Sequence, residues 1–294
     1  MAFFLSLLID GALAGAIYAL IALAFVLVYK ASRMINFAIG EWVMWGALLV
    51  ATGLHVLGLG LVGAIVFACA GMMAVALAFS RLVLRRMTAP PVITLIMITL
   101  GLGAVLRGLG AVIFARVPGA ISLPIPADPI IVDGVPIATD KLVAAIVAAL
   151  CIALVGTFYQ YSRTGLALQA LADDRQTAMS VGIDIDHHLL IVWAIAGVIS
   201  VAAGVLWTFV SGGGFGVALV GLKVFPIVII GGLDSILGAI VGAMVIGVLE
   251  SLGAGYLDPQ FGGGVGNIAS YLLLIVMLVW RPAGLLGRAR IERV

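Results

Sequence analysis

The chain has 294 residues, of which 64% are hydrophobic and only 10% charged, with a mean hydropathy of +1.33. Soluble globular proteins carry about 25% charged residues, so this composition excludes a soluble domain, and continuous rather than alternating apolar runs exclude a transmembrane β-barrel. The net charge of +2 gives no sign of a nucleic-acid partner; the partner implied is a lipid bilayer, and the placement of the cations carries the information.

Apolar runs of roughly 20 residues, the length that crosses a bilayer, recur along the whole chain. The first, residues 2–29, lacks a basic leading segment and a small-residue cleavage site, and reads as a retained span. Span 1 is predicted over residues 7–28, with Gly11 and Gly15 spaced for close helix packing. Lys30 and Arg33 mark a turn. Span 2 runs from Asn36 to residue 52, and span 3 over 56–79, ending at Arg81, Arg85 and Arg86. Pro90 and Pro91 open span 4, residues 92–114, because proline is tolerated in a first helical turn. The loop 115–140 contains Pro118, Pro124, Pro126, Pro129 and Pro136, which argue against a long helix; a small hairpin is predicted around Asp133 and Gly134. Span 5 covers residues 142–161.

Residues 162–188, SRTGLALQALADDRQTAMSVGIDIDHH, are the one long polar interruption placed inside the chain. Asp173 followed by Gln176 gives a capping-box-like start and Gly182 tolerates a left-handed stop, so a short surface helix is predicted over residues 174–181. Two turns are marginal alone, so either the membrane domain or a partner must hold them. The stretch is thus either a solvated loop or a docking element for a cytoplasmic partner. The docking element would comprise Asp173, Asp174, Arg175, Ala178, Met179 and Gly182, with Ala178 and Met179 on its apolar face.

Span 6 follows at residues 189–210. After Gly212, Gly213 and Gly214, the apolar stretch to residue 233 either spans or re-enters; the segment 236–252 carries a second G-x-x-x-G at Gly238 and Gly242. A Gly-rich loop, 253–266, precedes the last span, 267–280, and a basic tail. With the N-terminus outside and nine spans, the cytoplasmic side holds Lys30, Arg33, Arg81, Arg85, Arg86, Arg163, Arg175, Arg281, Arg288, Arg290 and Arg293, eleven of the fifteen basic residues. Arg116 and Lys141 fall outside, and Arg107 and Lys223 within spans. Cations favour the cytoplasmic side, so the C-terminus and residues 162–188 are placed inside and the loop 115–140 outside. The expected fold is all-α: a polytopic transmembrane bundle of about nine spans forming one domain, residues 1–294.

Motifs for catalysis are missing. The chain has no H-E-x-x-H, C-x-x-C or G-x-S-x-G, and His187 and His188 are adjacent rather than one helical turn apart. Its three lysines, Lys30, Lys141 and Lys223, are followed by Ala, Leu and Val, so no Walker A motif exists; any ATPase must be another subunit. Cys69 and Cys151 lie in apolar runs and read as free, small hydrophobes. Charges inside spans are costly and each needs a reason. Glu41, Arg107 and Lys223 are the candidates, with Asp10 and Glu250 nearer the outer ends; Arg107 and Glu250, at similar depth, are expected to pair. Each has a structural reading as pairing or snorkelling and a functional one as lining for a polar route. Asn36, Glu41, Trp45 and Arg107 form the candidate pathway lining, with Trp42 and Trp45 beside Glu41 also serving as packing.

Four segments together resemble one family. INFAIGEW, residues 35–42, following GAIYALIALAFVLVY, is similar to the opening of LivH-type permeases, the membrane subunits of ATP-driven importers for branched-chain amino acids and related compounds. LALQALADDRQTAMSVGIDI resembles that family's cytoplasmic loop, and IIGGLDSILGAIVGAMVIGVLE and LLLIVMLVWRPAGLLG resemble its closing pattern. Members often carry His where this chain has Ile39, a departure that bears on the solute. The resemblance implies a bacterial inner-membrane, multi-pass permease that is no enzyme and binds no cofactor itself, with ATP held on partner subunits. It implies as partners two cytoplasmic ATPases, a second related permease and an external solute-binding protein, and as solutes branched-chain amino acids, urea, short amides or aromatic acids. The rival reading is a stand-alone ion-coupled transporter or channel, with Asp10, Glu41 and Glu250 as proton carriers and Gly-rich breaks as discontinuous helices. The docking-like loop, which a lone transporter does not need, speaks against it.

Overall fold

The computed structural model describes residues 1–86, 91–125, 128–132, 134–281 and 284–287. Pro90, Pro126, Asp133, the tail residues Arg288, Arg290 and Arg293, and the side chains of Arg175 and Gln176, all used above, lie outside the described residues. The described residues fold as α1 (Ala2–Ser32), α2 (Ile39–His55), α3 (Gly60–Leu82), α4 (Val92–Ile113), α5 (Thr139–Tyr161), α6 (Arg163–Asp173), α7 (Arg175–Ser180), α8 (Ile185–Ser211), α9 (Val220–Gly231), α10 (Ile236–Tyr256), α11 (Asp258–Phe261) and α12 (Val265–Trp280). A hairpin pairs β1 (Ile130–Val132) with β2 (Val135–Ile137), Val132 opposite Val135, with Gly134 at φ +80° in the turn predicted for it. The protein is an all-α polytopic helical bundle. Among the described residues, six helices are long and apolar enough to cross a membrane: Ala2–Ser32, Gly60–Arg86, Val92–Ile113, Thr139–Tyr161, Ile185–Ser211 and Ile236–Tyr256.

Contacts divide the chain into two compact units. The first comprises Met1–Val26, Pro124–Ala149 and Leu222–Val294. Here the expected glycine pairs do their packing. A methyl group on Gly11 would stand 2.6 Å from Val248 Cα, and one on Gly15 would stand 2.9 Å from the Ala243 carbonyl, so α1 and α10 approach at backbone distance. Gly238 and Gly242 meet Gly231 and Ile227 of α9 in the same way. Lipid offers no hydrophobic drive for helix association, so such close van der Waals contact is what holds transmembrane helices together. Pro226 sits inside α9, and the chain beyond α12 returns to it through Leu285 N–H on Ile230 O at 2.7 Å.

The second unit comprises Leu27–Leu123 and Leu150–Gly221. Its core is α2 packed between α3 and α8. A side chain on Gly204 of α8 would collide with Val43 and Ala47 of α2, which fixes the closest crossing. Trp42, Trp193 and Phe79 pack tilted and edge-on in this core, with ring centroids 5.3 Å apart for Trp42–Trp193 and 4.7 Å for Phe79–Trp193. Such aromatic pairs add about 0.5–1.5 kcal/mol each beyond area burial. Apolar side chains such as Val105, Val112 and Leu154 lie on outer faces of α4 and α5, as helices bathed in lipid require. Cys69 and Cys151 are free and half-buried.

Candidate functional site

In the second unit, Glu41, Trp45 and Arg107 of the predicted pathway residues lie along the helix pair α2 and α4, and Asn36 lies just ahead of α2. α2 offers Glu41 and Trp45 at i and i+4, on the same face. α4 answers with Thr99, Gly103, Leu106 and Gly110, its buried positions. Arg107 pairs with Glu41. The carboxylate is nearly buried, 9% exposed, while the guanidinium-bearing side chain is 59% exposed. Gly103 makes room for the carboxylate, since a methyl group there would stand 3.3 Å from Glu41 Oε2. Gly110 does the same for Trp45, whose indole Nε1 donates to Leu106 O at 2.7 Å and whose ring packs edge-on against Phe114. Asn36 is fully buried ahead of α2; its Oδ1 accepts from Ala38 N–H at 3.1 Å and turns the chain into the helix. Its amide Nδ2 has no hydrogen-bond partner among the described residues. Thr99 donates to Ile35 O at 2.9 Å, tying the same turn to α4.

The expected pairing of Arg107 with Glu250 is corrected. Each finds a partner within its own unit: Arg107 takes Glu41, and Glu250 takes Lys223 at 2.9 Å. Glu250 also accepts from Tyr18 O–H at 2.7 Å and from Ser270 O–H at 2.8 Å, and Lys223 donates to Tyr18 Oη at 3.0 Å. Asp10 binds Lys141 Nζ at 2.6 Å. Tyr18 and Ser270 were not singled out in the sequence; a hydroxyl in an apolar run has no charge to mark it.

The predicted surface helix is present, with its start one residue later. Asp174 caps it, accepting Thr177 N–H at 3.1 Å and the Thr177 hydroxyl at 2.7 Å; the Gln176 side chain of the expected capping box lies outside the described residues. Its end is as predicted. Gly182, at φ +88°, closes α7 with Gly182 N–H on Met179 O at 3.0 Å and Ile183 N–H on Ala178 O at 3.1 Å, the paired bonds of a Schellman motif. Ala178 and Met179 do not share a face: Ala178 is 3% exposed and Met179 50%. Ahead of α7 stands a helix the sequence reading left as loop. α6 starts at Ser162, whose Oγ accepts Gly165 N–H at 2.9 Å, and buries Gly165, Leu168 and Leu171, an i, i+3, i+6 stripe that marks it in retrospect. The end of α1 holds α6 in place: Arg33, the one described non-glycine residue at positive φ, donates to Ala172 O at 2.8 Å. Among the described residues no group of His, Cys, Asp or Glu side chains lies together to hold a metal ion.

The family model for the branched-chain amino acid transport system permease component matches residues 7–280. The chain belongs to that family. Among its relatives, the high-affinity branched-chain amino acid transport system permease protein LivH of Escherichia coli (strain K12) is 29% identical over 99% of this chain and 98% of its own length. The permease protein BraD of the corresponding Pseudomonas aeruginosa system is 29% identical with the same coverage. A solved structure, PsaBC from Streptococcus pneumoniae in complex with Fab, is 17% identical over 92% of this chain and 90% of that one, with a TM-score of 0.49, a likeness too slight to bear on function. For a permease, charged groups carried on apolar helices and short helices set between long apolar ones are the features to explain.

Proposed function

We propose that the chain is the membrane-spanning permease subunit of an ATP-driven, binding-protein-dependent importer in a bacterial inner membrane, carrying branched-chain amino acids or a related small polar solute. The observation that carries this reading is the family match over residues 7–280, joined to a short capped helix, α7, set with α6 between the apolar α5 and α8 and with Met179 turned outward. The whole chain serves as one transmembrane domain of nine spans, N-terminus outside and C-terminus cytoplasmic. The six long apolar helices, together with the shorter α2, α9 and α12, coincide with the nine predicted segments, which supports that count. Two cytoplasmic ATPases bind ATP and dock on α7 and its caps, from Asp173 to Gly182; this chain binds no nucleotide and is not an enzyme. A solute-binding protein delivers cargo to the outer face, where the loop 115–140 lies.

The mechanism follows from differential affinity. ATP can drive the permease between outward- and inward-open states only if the ATPases grip the two unequally. Arg33, bridging the end of α1 to the end of α6, gives a displacement of the docking elements a direct purchase on a transmembrane helix. Asn36, Glu41, Trp45 and Arg107 line this chain's half of the pathway, and a second related permease supplies the other half. Arg107 supports that reading: a cation more than half exposed on an apolar helix is stable beside a polar route and costly beside lipid. The test is gentle extraction of the C-terminally tagged chain from its native membrane. Recovery of two ATPases and a second permease is the expected result; repeated recovery of the chain alone in mild detergent would overturn it.

A further inference from the structure

The first unit contains a cleft of about 240 Å³ that the pathway described above does not use. Asp10, Lys223, Glu250, Asp258 and Asn267 border it, from α1, α9, α10, α11 and α12. Ala14 and Gly247, both small, leave its volume open. We infer that this cleft is a binding site for an α-amino acid zwitterion, its ammonium group against Glu250 and Asp10 and its carboxylate against Lys223 and the Asn267 amide. The inference rests on the permease reading and adds a second place, off that pathway, at which the amino acid is held.

Charge and valence argue for a ligand of both signs. Three carboxylates and one lysine border the cleft, and Lys141 on Asp10 adds a second cation, so the local formal charge is −3 + 2 = −1. A bare carboxylate enters against that excess, while a bare amine leaves Lys223 without a new partner. Lys223 has three N–H donors, of which two point at Tyr18 Oη and Glu250 Oε2; the third is available to a ligand oxygen. Glu250 accepts from Tyr18, Lys223 and Ser270, three of the roughly four acceptor sites of a carboxylate, and retains room for an ammonium. The lysine is reachable, with its side chain 26% exposed. Asp258 is held in place by Val265 N–H at 2.7 Å, so one wall of the cleft is set by the cap of α12. Charged groups fixed in advance of the ligand bind it without the cost of ordering them.

The test is photo-labelling of the permease, purified with its partner subunits in lipid nanodiscs, by photo-leucine, the diazirine analogue of leucine. Label is expected on peptides containing Ala14 or residues 247–254. Excess leucine should suppress it, whereas 4-methylpentanoate, which lacks the ammonium, and 3-methylbutylamine, which lacks the carboxylate, should not. Lys223→Gln removes a charge-assisted bond and should lower labelling by about tenfold or more. Asn267→Ala, an exposed site free of packing demands, should lower it by about threefold. Label confined to other peptides, or unchanged in both variants, overturns the assignment. Transport separates the two readings: ATP-dependent leucine uptake by the wild-type complex without label in the cleft sinks only this inference, whereas no ATP-dependent uptake of any solute sinks the permease reading as well.

Discussion

The Lys223–Glu250 cluster of the first unit and the Glu41–Arg107 pair of the second place the same two charges inside apolar helices in different ways. Around Glu250, donors come from α1, α9 and α12 to a residue of α10, and both carboxylate oxygens are engaged. Around Glu41, one guanidinium is the ionic partner, its own side chain is 59% exposed, and the neighbouring Asn36 amide nitrogen is unpartnered. The first arrangement is a network drawn from four helices that also walls a cleft. The second is open, with its cation more than half exposed.

The largest effect should come from breaking the four-helix cluster. Glu250→Leu leaves Lys223 without its counter-ion among four helices, and breaking a buried pair costs about 3–5 kcal/mol. Loss of folded protein in detergent, followed by thermal unfolding, is the expected readout, and an unchanged melting temperature would show the cluster to be dispensable. Arg107→Leu should fall at the low end of the same range, about 3 kcal/mol, because it leaves the nearly buried Glu41 carboxylate without its counter-ion while removing a side chain already mostly exposed. If the two variants melted alike, the contrast between the units would be lost. Glu41→Gln retains a hydrogen bond to Arg107, so stability should change little while transport falls. Equal losses of both would assign Glu41 to structure.

Local features were legible in the sequence and distant ones were not. Gly182 was readable as a helix stop because the Schellman motif is written within six residues, and the Gly134 turn because two residues set a hairpin. Gly11 and Gly15 announced a close crossing, though only the structure assigns it to α10. The partner of Arg107 was missed because Glu41 lies 66 positions away, and depth in a bilayer does not specify which helices touch. Asp174 caps α7 because its carboxylate reaches both the backbone N–H and the hydroxyl of Thr177, a pairing that two adjacent aspartates do not announce. α6 was passed over because its polar residues hid a three-residue apolar stripe.

Smaller effects sharpen the picture in the second unit. Met179→Asp places charge on the exposed side of α7, so the chain should melt as before while ATPase copurification is lost; Ala178→Asp, at a buried site, should lower the melting temperature as well. If Met179→Asp retained the ATPases, α7 would not be where they dock. Smallest of all is Gly108→Ala on α4, where an added methyl group meets open space. It should raise the stability of the isolated chain by no more than about 1 kcal/mol, the helix-propensity difference.

The measurement that bears most directly on the account is radiolabelled leucine uptake into proteoliposomes containing this chain, its partner permease, the ATPases and the binding protein. Uptake should require ATP on the ATPase side, ignore an imposed proton gradient and disappear with Met179→Asp. Uptake by the chain alone, driven by a proton gradient without ATP, would contradict the account and return Asp10, Glu41 and Glu250 to the role of proton carriers.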